Sequence, residues 1–155
     1  AAKRAQTNAE FLGDPRLRPE RSTQADLWLQ GRVAGVQLQV NAFARQLDDY
    51  ITLAATTLPR AQAGSPPPVF RFINGRARYH GGELLASAAV RPSLTLSGGM
   101  AYLHGEDLTL AEPALGVTPL RGDVRARWAP GRGAWFVEGA THVAGAQRRV
   151  AVTRG

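Results

Sequence analysis

The chain contains no cysteine, which excludes disulfide bonds, thiolate metal ligands and a cysteine nucleophile. Aromatic residues make up only 7% of its 155 residues. No apolar run approaches the roughly 18–20 residues that a transmembrane helix requires. Lysine is nearly absent, so the net charge of +7 comes almost entirely from arginine.

The arginines are dispersed among glycine, alanine and proline, and no block of about five or six like charges occurs. A nucleic-acid-binding domain concentrates its positive charge in a patch or stripe. We therefore expect no nucleic-acid partner, and steeply salt-dependent binding to duplex or single strand would revive that alternative.

Catalytic motifs are absent as well. The chain has no G-x-S-x-G element, no phosphate-binding Walker loop and no H-E-x-x-H pair. The glycines at 131 and 133 read as a turn between two strands rather than a phosphate cradle. We expect no enzymatic activity, no cofactor and no metal site.

The chain does contain many glycines and prolines, which form turns, and segments in which apolar and polar residues alternate. Seventeen glycines and ten prolines favour many short elements, and the hydrophobic share of 44% is enough to bury one face of a sheet. Six segments alternate apolar and polar residues with period two, which predicts half-buried β-strands. The apolar positions are Ala25, Leu27, Leu29 and Gly31; Val36, Leu38, Val40, Ala42 and Ala44; His80, Gly82, Leu84, Ala86, Ala88 and Val90; Leu94, Leu96, Gly98, Met100 and Tyr102; Leu120, Gly122, Val124, Ala126 and Trp128; and Trp135, Val137, Gly139, Thr141 and Val143.

The connections between these segments alternate in length. Short turns are predicted at 34–35, 91–93 and 130–133, and long loops at 54–68, 105–119 and in the tail 145–155. Strands of about 9–11 residues with short turns at one end and long loops at the other are typical of transmembrane β-barrels. We predict an all-β, antiparallel up-and-down meander that forms part of such a barrel, with about six strands.

Charge placement supports a lipid-facing surface. The apolar positions include no charged residue. Such segregation is expected of a lipid-facing surface, because an arginine or lysine that faces lipid costs about 2–4 kcal/mol near the midplane. Every strand charge falls on the opposite parity: Asp26, Arg32, Arg45, Glu83, Arg121, Asp123, Arg125, Arg127 and Glu138. Arg76 and Arg78 share the apolar parity of His80, which requires that strand to continue past the lipid.

A soluble β-sandwich also segregates charge and remains the rival reading. Two features favour the membrane. The apolar positions are mostly alanine, glycine, leucine and valine, without bulky aromatic filling. The rings of Tyr50, Tyr102, Trp128 and Trp135 fall near predicted strand ends, where membrane girdles form. A detergent-free monomer with a cooperative melt would contradict the barrel.

Three segments resemble motifs of TonB-dependent outer-membrane receptors. Residues 11–22 read FLGDPRLRPERS and resemble the family's G-N-P-x-L-x-P-E-x-S element, with Asp14 in place of the usual Asn. In the strand that follows, Asp26 replaces the more usual Glu. Residues 74–84 read NGRARYHGGEL and are similar to N-x-G-x-A-x-x-x-G-x-E with a shifted glycine. Residues 105–107 through 119–122 resemble a P-x-x-P loop before a strand.

This resemblance implies a barrel of about 22 strands with a plugged lumen. Residues 1–155 would then form a partial barrel domain, with the plug domain, the energy-coupling box and the closing strands absent. It also implies a location in a Gram-negative outer membrane. The implied activity is TonB-dependent uptake of a scarce nutrient such as siderophore-iron, haem or cobalamin. The implied partners are outer-membrane lipid, the energy transducer TonB acting through the plug, and a small ligand such as a metal chelate.

Candidate ligand contacts are few. Arg121, Arg125 and Arg127 share the lumen-facing parity and could guide an anionic chelate, although packing against a polar plug and local pairing with Asp123 explain them as well. The histidines, His80, His104 and His142, are too scattered to predict a metal site. His104, beside a long loop, is the histidine that we expect to contact ligand. Loops 54–68 and 105–119 are candidate ligand-capturing loops.

Overall fold

All regular structure in the described part of the chain is β-strand. The computed structural model describes residues 10–59, 69–131 and 134–151. Its strands are β1 (Phe11–Leu12), β2 (Arg21–Val33), β3 (Val36–Thr56), β4 (Val69–Arg91), β5 (Leu94–Asp107), β6 (Glu112–Pro113), β7 (Arg121–Trp128) and β8 (Val137–Ala144). No helix in these residues is long and apolar enough to cross a membrane. The predicted all-β class is confirmed.

Six long strands form one sheet in the order β2-β3-β4-β5-β7-β8. All neighbours along this path are antiparallel, while β1 pairs in parallel with β4 and β6 pairs with β5. Each long strand therefore lies beside the next one in the chain, as in an up-and-down meander. Among the described residues, β2 and β8 are open edges and no second sheet covers either face. This single open sheet contradicts a sandwich, which requires two packed sheets.

The strand register places the apolar positions of all six long strands on one surface. One row across the sheet contains Leu29, Val40, Leu84, Met100, Gly122 and Val143. A neighbouring row contains Gln30, Gln39, Leu85, Gly99, Asp123 and His142. Directly paired residues project to the same side of a sheet. We call the first surface the apolar face and the second the polar face; Leu29 and Val143 are 55% and 64% exposed on the apolar face.

The β2–β3 hairpin has a two-residue turn, Ala34 and Gly35. Both residues have positive φ, 48° and 82°. This geometry matches the right-handed twist of the strands, and it favours asparagine and glycine over alanine. The turn therefore fixes the register of the first hairpin at some conformational cost at Ala34.

β3 and β4 are longer than the sequence predicts. β3 continues to Thr56 and β4 begins at Val69, so the predicted loop 54–68 is shorter, and residues 60–68 of it lie outside the described part. The alternation stops at Ala44 because Gln46 and Asp48 follow on the apolar parity, while Leu47 on the opposite parity is buried. A β-bulge at Asp49, where φ is 57° and the register shifts between Asp48 and Tyr50, then exchanges the two parities although pairing continues.

A second shift lies in β4 between Ala89 and Arg91. The sequence places Val90 on the apolar parity and Arg91 in the turn. Instead Val90 is the extra residue, Arg91 pairs with Leu94, and the turn contains Pro92 and Ser93 alone. The bulge explains why the apolar residues of β4 and β5 are both even-numbered, since a two-residue turn without a bulge pairs even with odd positions.

Glycines allow neighbouring strands to approach closely. A Cβ at Gly82 would lie 2.6 Å from the carbonyl oxygen of Asn41, and one at Gly98 would lie 2.8 Å from that of Asp123. Real Cβ atoms do not come so close, so the backbones would have to separate. Both glycines therefore determine the local spacing and bend of the sheet.

We predict that Ala34→Asn raises the unfolding free energy of the barrel by about 0.5–1 kcal/mol, because asparagine tolerates positive φ better than alanine. Urea unfolding in detergent measures the change.

The matched control is Gly35→Ala, which meets no atom within 4 Å and so alters only the backbone preference at φ 82°. It is expected to lower stability by about 1 kcal/mol. Shifts of the same sign in both variants would contradict this description of the turn.

Candidate functional site

A charged strip runs along β7 on the polar face, as the alternation predicts. Its members are Arg121, Asp123, Arg125 and Arg127. Asp123 pairs across the sheet with His142, and the Arg125 guanidinium lies 3.7 Å from the Glu138 carboxylate on β8. In the described residues Asp123 makes no ion pair with its β7 neighbours, so the predicted local pairing is wrong and the charge pairing is between strands.

Arg127 lies apart from the rest of the strip, at the short-turn end. Its guanidinium carbon is 3.9 Å from the centroid of the Phe136 ring, a cation–π contact. Nearby, Trp128 and Trp135 meet edge to face with centroids 5.2 Å apart. Of the predicted strand-end aromatics these two lie at the end of the sheet, whereas Tyr50 and Tyr102 lie inside β3 and β5.

A depression on the polar face has a volume of about 510 Å³. Its charged and titratable lining consists of Glu83, Arg121, Asp123 and His142. Gly99 makes room for it, since a Cβ there would lie 2.7 Å from Leu85 and 3.3 Å from the Asp123 carboxylate. Donors and acceptors of both signs can bind a polar ligand or a polar protein surface. In the described residues no group of histidines and carboxylates could hold a metal ion.

His104 does not join the arginines of β7. It pairs with His80, with which it shares the apolar face, and their rings stack with centroids 4.7 Å apart. His142 lies on the polar face, opposite His80 and His104. The expectation that all three histidines are scattered is wrong for the stacked pair. The signal was present in the sequence, because the shared even parity of β4 and β5 allows these two positions to pair.

Glu106 is the acceptor at the centre of a cluster beyond the stacked histidines. Its carboxylate lies 2.9 Å from Arg78, 3.2 Å from His104 and 3.5 Å from Arg149. The hydrogen bond from Arg78, followed by that from His104, lowers the pKa of Glu106 from 4.5 to about 2. Because the folded pKa is depressed, the ionised form stabilises the cluster above about pH 4.5, and this contribution is lost as pH falls through about 2.

Asp49, the bulge residue of β3, binds Arg18 from the segment before β2 and Arg21, the first residue of β2. Its carboxylate lies 2.6 Å from Arg18 and 3.1 Å from Arg21, and its own side chain is only 9% exposed. The Asn74 amide donates to the Asp49 carbonyl at 2.7 Å. The same amide exchanges two hydrogen bonds with the backbone of Arg18, at 2.8 and 2.9 Å. We call this set the Asp49 latch.

The predicted ligand loop 105–119 is folded back on the sheet. β5 continues to Asp107, whose buried carboxylate accepts the amides of Thr109 and Leu110 at 3.0 Å each. The Leu108 amide donates to the Arg76 carbonyl at 2.8 Å. A Cβ at Gly75 would lie 2.8 Å from the Thr109 hydroxyl, so the absence of a side chain at Gly75 allows the loop to pack against β4.

The family model for TonB-dependent receptor-like β-barrels matches residues 3–154. The chain belongs to this family. A solved structure of a protein named as a copper transporter, OprC, is similar in fold, with a TM-score of 0.74 and 24% identity. The match covers 90% of this chain and 20% of that one, so the chain spans about a fifth of the length of that relative. No curated protein sequence matches the chain.

Two of the motifs that resemble this TonB-dependent receptor family meet in the Asp49 latch. Arg18 belongs to the first motif and Asn74 opens the second, and their hydrogen bonds join positions 56 residues apart. Glu20 of the first motif accepts the Ile51 amide at 2.6 Å. The motifs therefore hold the segment between β1 and β2 against the extended ends of β3 and β4. The sequence shows both motifs but not their contact.

We predict that Asp49→Asn loosens the segment that contains Arg18, because it removes the charge while keeping a residue that tolerates positive φ. Two largely exposed ion pairs together contribute about 1 kcal/mol, which corresponds to about fivefold faster tryptic cleavage at Arg16. Mass spectrometry of the digest measures the rate.

Asp26→Asn is the control, since among the described residues its carboxylate bonds only to Gln24. Equal acceleration in both variants would contradict a specific role for the latch.

Proposed function

We propose that this chain forms part of the wall of a TonB-dependent receptor that takes up a scarce nutrient across a Gram-negative outer membrane. The single observation that best supports lipid contact is the width of the uncharged band on the apolar face. One border is the row of Arg91, Leu94 and Trp128 at the short-turn end. The other is the row of Arg78 and Glu106.

The band fits a bilayer in size. From Leu94 to Glu106 the chain advances by 12 positions along β5. At about 3.3 Å per residue this is about 40 Å along the strand, or about 28 Å across the membrane at a tilt of about 45°. The hydrocarbon core is about 30 Å thick. Arg78 then lies at the outer border and Arg76 beyond it, which accounts for two arginines on an otherwise uncharged parity.

The polar face would then surround the lumen. We infer that Arg121 and Arg125, with Glu83, Asp123 and His142, contact either the ligand or a plug domain. His104 faces the opposite side, and Arg127 packs on Phe136 at the short-turn end, so neither belongs to this lumenal site. A chelated or organic ligand suits this site, because its mixed charges offer donors and acceptors of both signs.

Single cysteines at the neighbouring positions Val124 and Asp123 test the orientation, and the chain has no native cysteine. In full-length receptor reconstituted in bilayers, a lipid-soluble maleimide is expected to label position 124 and a charged maleimide position 123. Adjacent residues in a strand face opposite sides, so the two labels should differ about tenfold or more in rate. Similar labelling by the charged reagent at both positions would contradict lipid contact.

Transport is tested in cells that express the full-length receptor, with and without TonB, on labelled ferric chelates, haem and cobalamin. Arg121→Gln combined with Arg125→Gln is expected to raise the apparent KM for an anionic ligand about thirtyfold or more, since each of the two lost charged contacts costs about 1–2 kcal/mol.

Arg32→Gln, also on the polar face but on the edge strand β2, with β3, β4 and β5 between it and β7, serves as the control and should leave KM unchanged. Uptake that is equal in cells lacking TonB would contradict the proposed function.

A further inference from the structure

The outer border of the uncharged band is a concentrated basic surface. Arg78 and Arg76 occupy successive outward positions on β4, and Arg149 from the segment after β8 reaches the same place. Their side chains are open to the surroundings, with 58% of Arg78 and 46% of Arg149 exposed. Arginine presents several donors in a planar fork that fits phosphate oxygens. We call these three arginines the border arginines.

Two carboxylates face the border arginines. Glu106 is shared by Arg78 and Arg149, and Asp48 is the cross-strand neighbour of Arg76. In the described residues no carboxylate lies within ion-pair distance of the Arg76 guanidinium. The positive charge of Arg76 is therefore not neutralised by an ion pair in the described residues, and the imidazoles of His80 and His104 lie on the lipid side of it.

The position of the border arginines in the sheet indicates which kind of ligand they bind. The row of His80 and His104 lies directly on the lipid side of Arg78 and Glu106, and Tyr102 and Gly82 follow beyond it. Lipid headgroups occupy the level just outside the hydrocarbon core, and an anionic membrane surface attracts basic residues at that level. A lumenal ligand is excluded as the partner because the border arginines lie on the apolar side of the sheet.

We propose that Arg76, Arg78 and Arg149 form a binding site for the phosphate of an anionic lipid in the outer leaflet. This inference rests on the proposed function in requiring that the apolar face meets lipid. The Arg76 guanidinium makes no ion pair in the described residues and is the one most able to bind the phosphate. Glu106 holds Arg78 and Arg149 in place and partly neutralises their charge. Lipid phosphate bound here would fix the height of the sheet in the bilayer.

The test uses full-length receptor in detergent and measures binding of short-chain phosphatidic acid by native mass spectrometry. Arg76→Gln combined with Arg78→Gln is expected to weaken binding about tenfold or more. Arg45→Gln is the matched control, because Arg45 lies one row away on the polar face, paired with Tyr79, and should change binding by less than about twofold. Glu106→Gln is expected to tighten binding, since it releases two guanidinium groups.

Equal binding by the double variant and the wild type would overturn the site, and so would equal weakening by Arg45→Gln. Displacement of the lipid by inorganic phosphate at the same concentration would also overturn it, in favour of a site for free phosphate. Labelling at position 124 is measured on the same preparations. Loss of lipid binding with normal labelling reports on the border arginines, whereas failure of the labelling in the wild type reports on the proposed function.

Discussion

The hydrogen-bond ladder between strands is the constraint on which the rest of the structure depends. A segment inside a bilayer has no water to satisfy its amides and carbonyls, so each strand must pair with its neighbours without interruption. The ladder runs continuously from β2 to β8. It also decides the direction of every side chain, because a slip of one residue exchanges the two faces. Such a slip in β7 would move Arg121, Arg125 and Arg127 to the apolar face.

The sequence predicts the parts of this ladder that follow period two. The apolar parities, the turn at 34–35 and the alternation of short and long connections can be recognised because each depends on neighbouring residues. The bulge at Asp49 cannot be recognised in that way. It is stabilised by Asn74, which is 25 residues away, and by Arg18 and Arg21 at the start of β2 and just before it. Such contacts leave no periodic signal, so β3 is predicted to end near Arg45, whereas it continues to Thr56.

In the candidate site too, some features follow from the alternation and others depend on contacts between distant residues. The polar-face placement of Arg121 and Arg125 follows from parity alone, whereas the partner of Arg125 depends on the diagonal position of Glu138. The stacking of His80 on His104 could have been found by requiring both strands to keep their even positions on one face. The docking of loop 105–119 could not, because it depends on an absent side chain at Gly75 and on the buried Asp107 carboxylate.

The close contacts at Gly82 and Gly98 bear on the size of the whole channel. In a closed barrel the diameter grows with the number of strands, and each strand pair must supply its share of the turning angle. Glycines at which the backbones nearly touch are where a sheet can bend sharply. A larger residue at either position would flatten this sector of the wall. Neighbouring sectors would then have to curve more to reach closure, and the cross-section of the barrel would become oval.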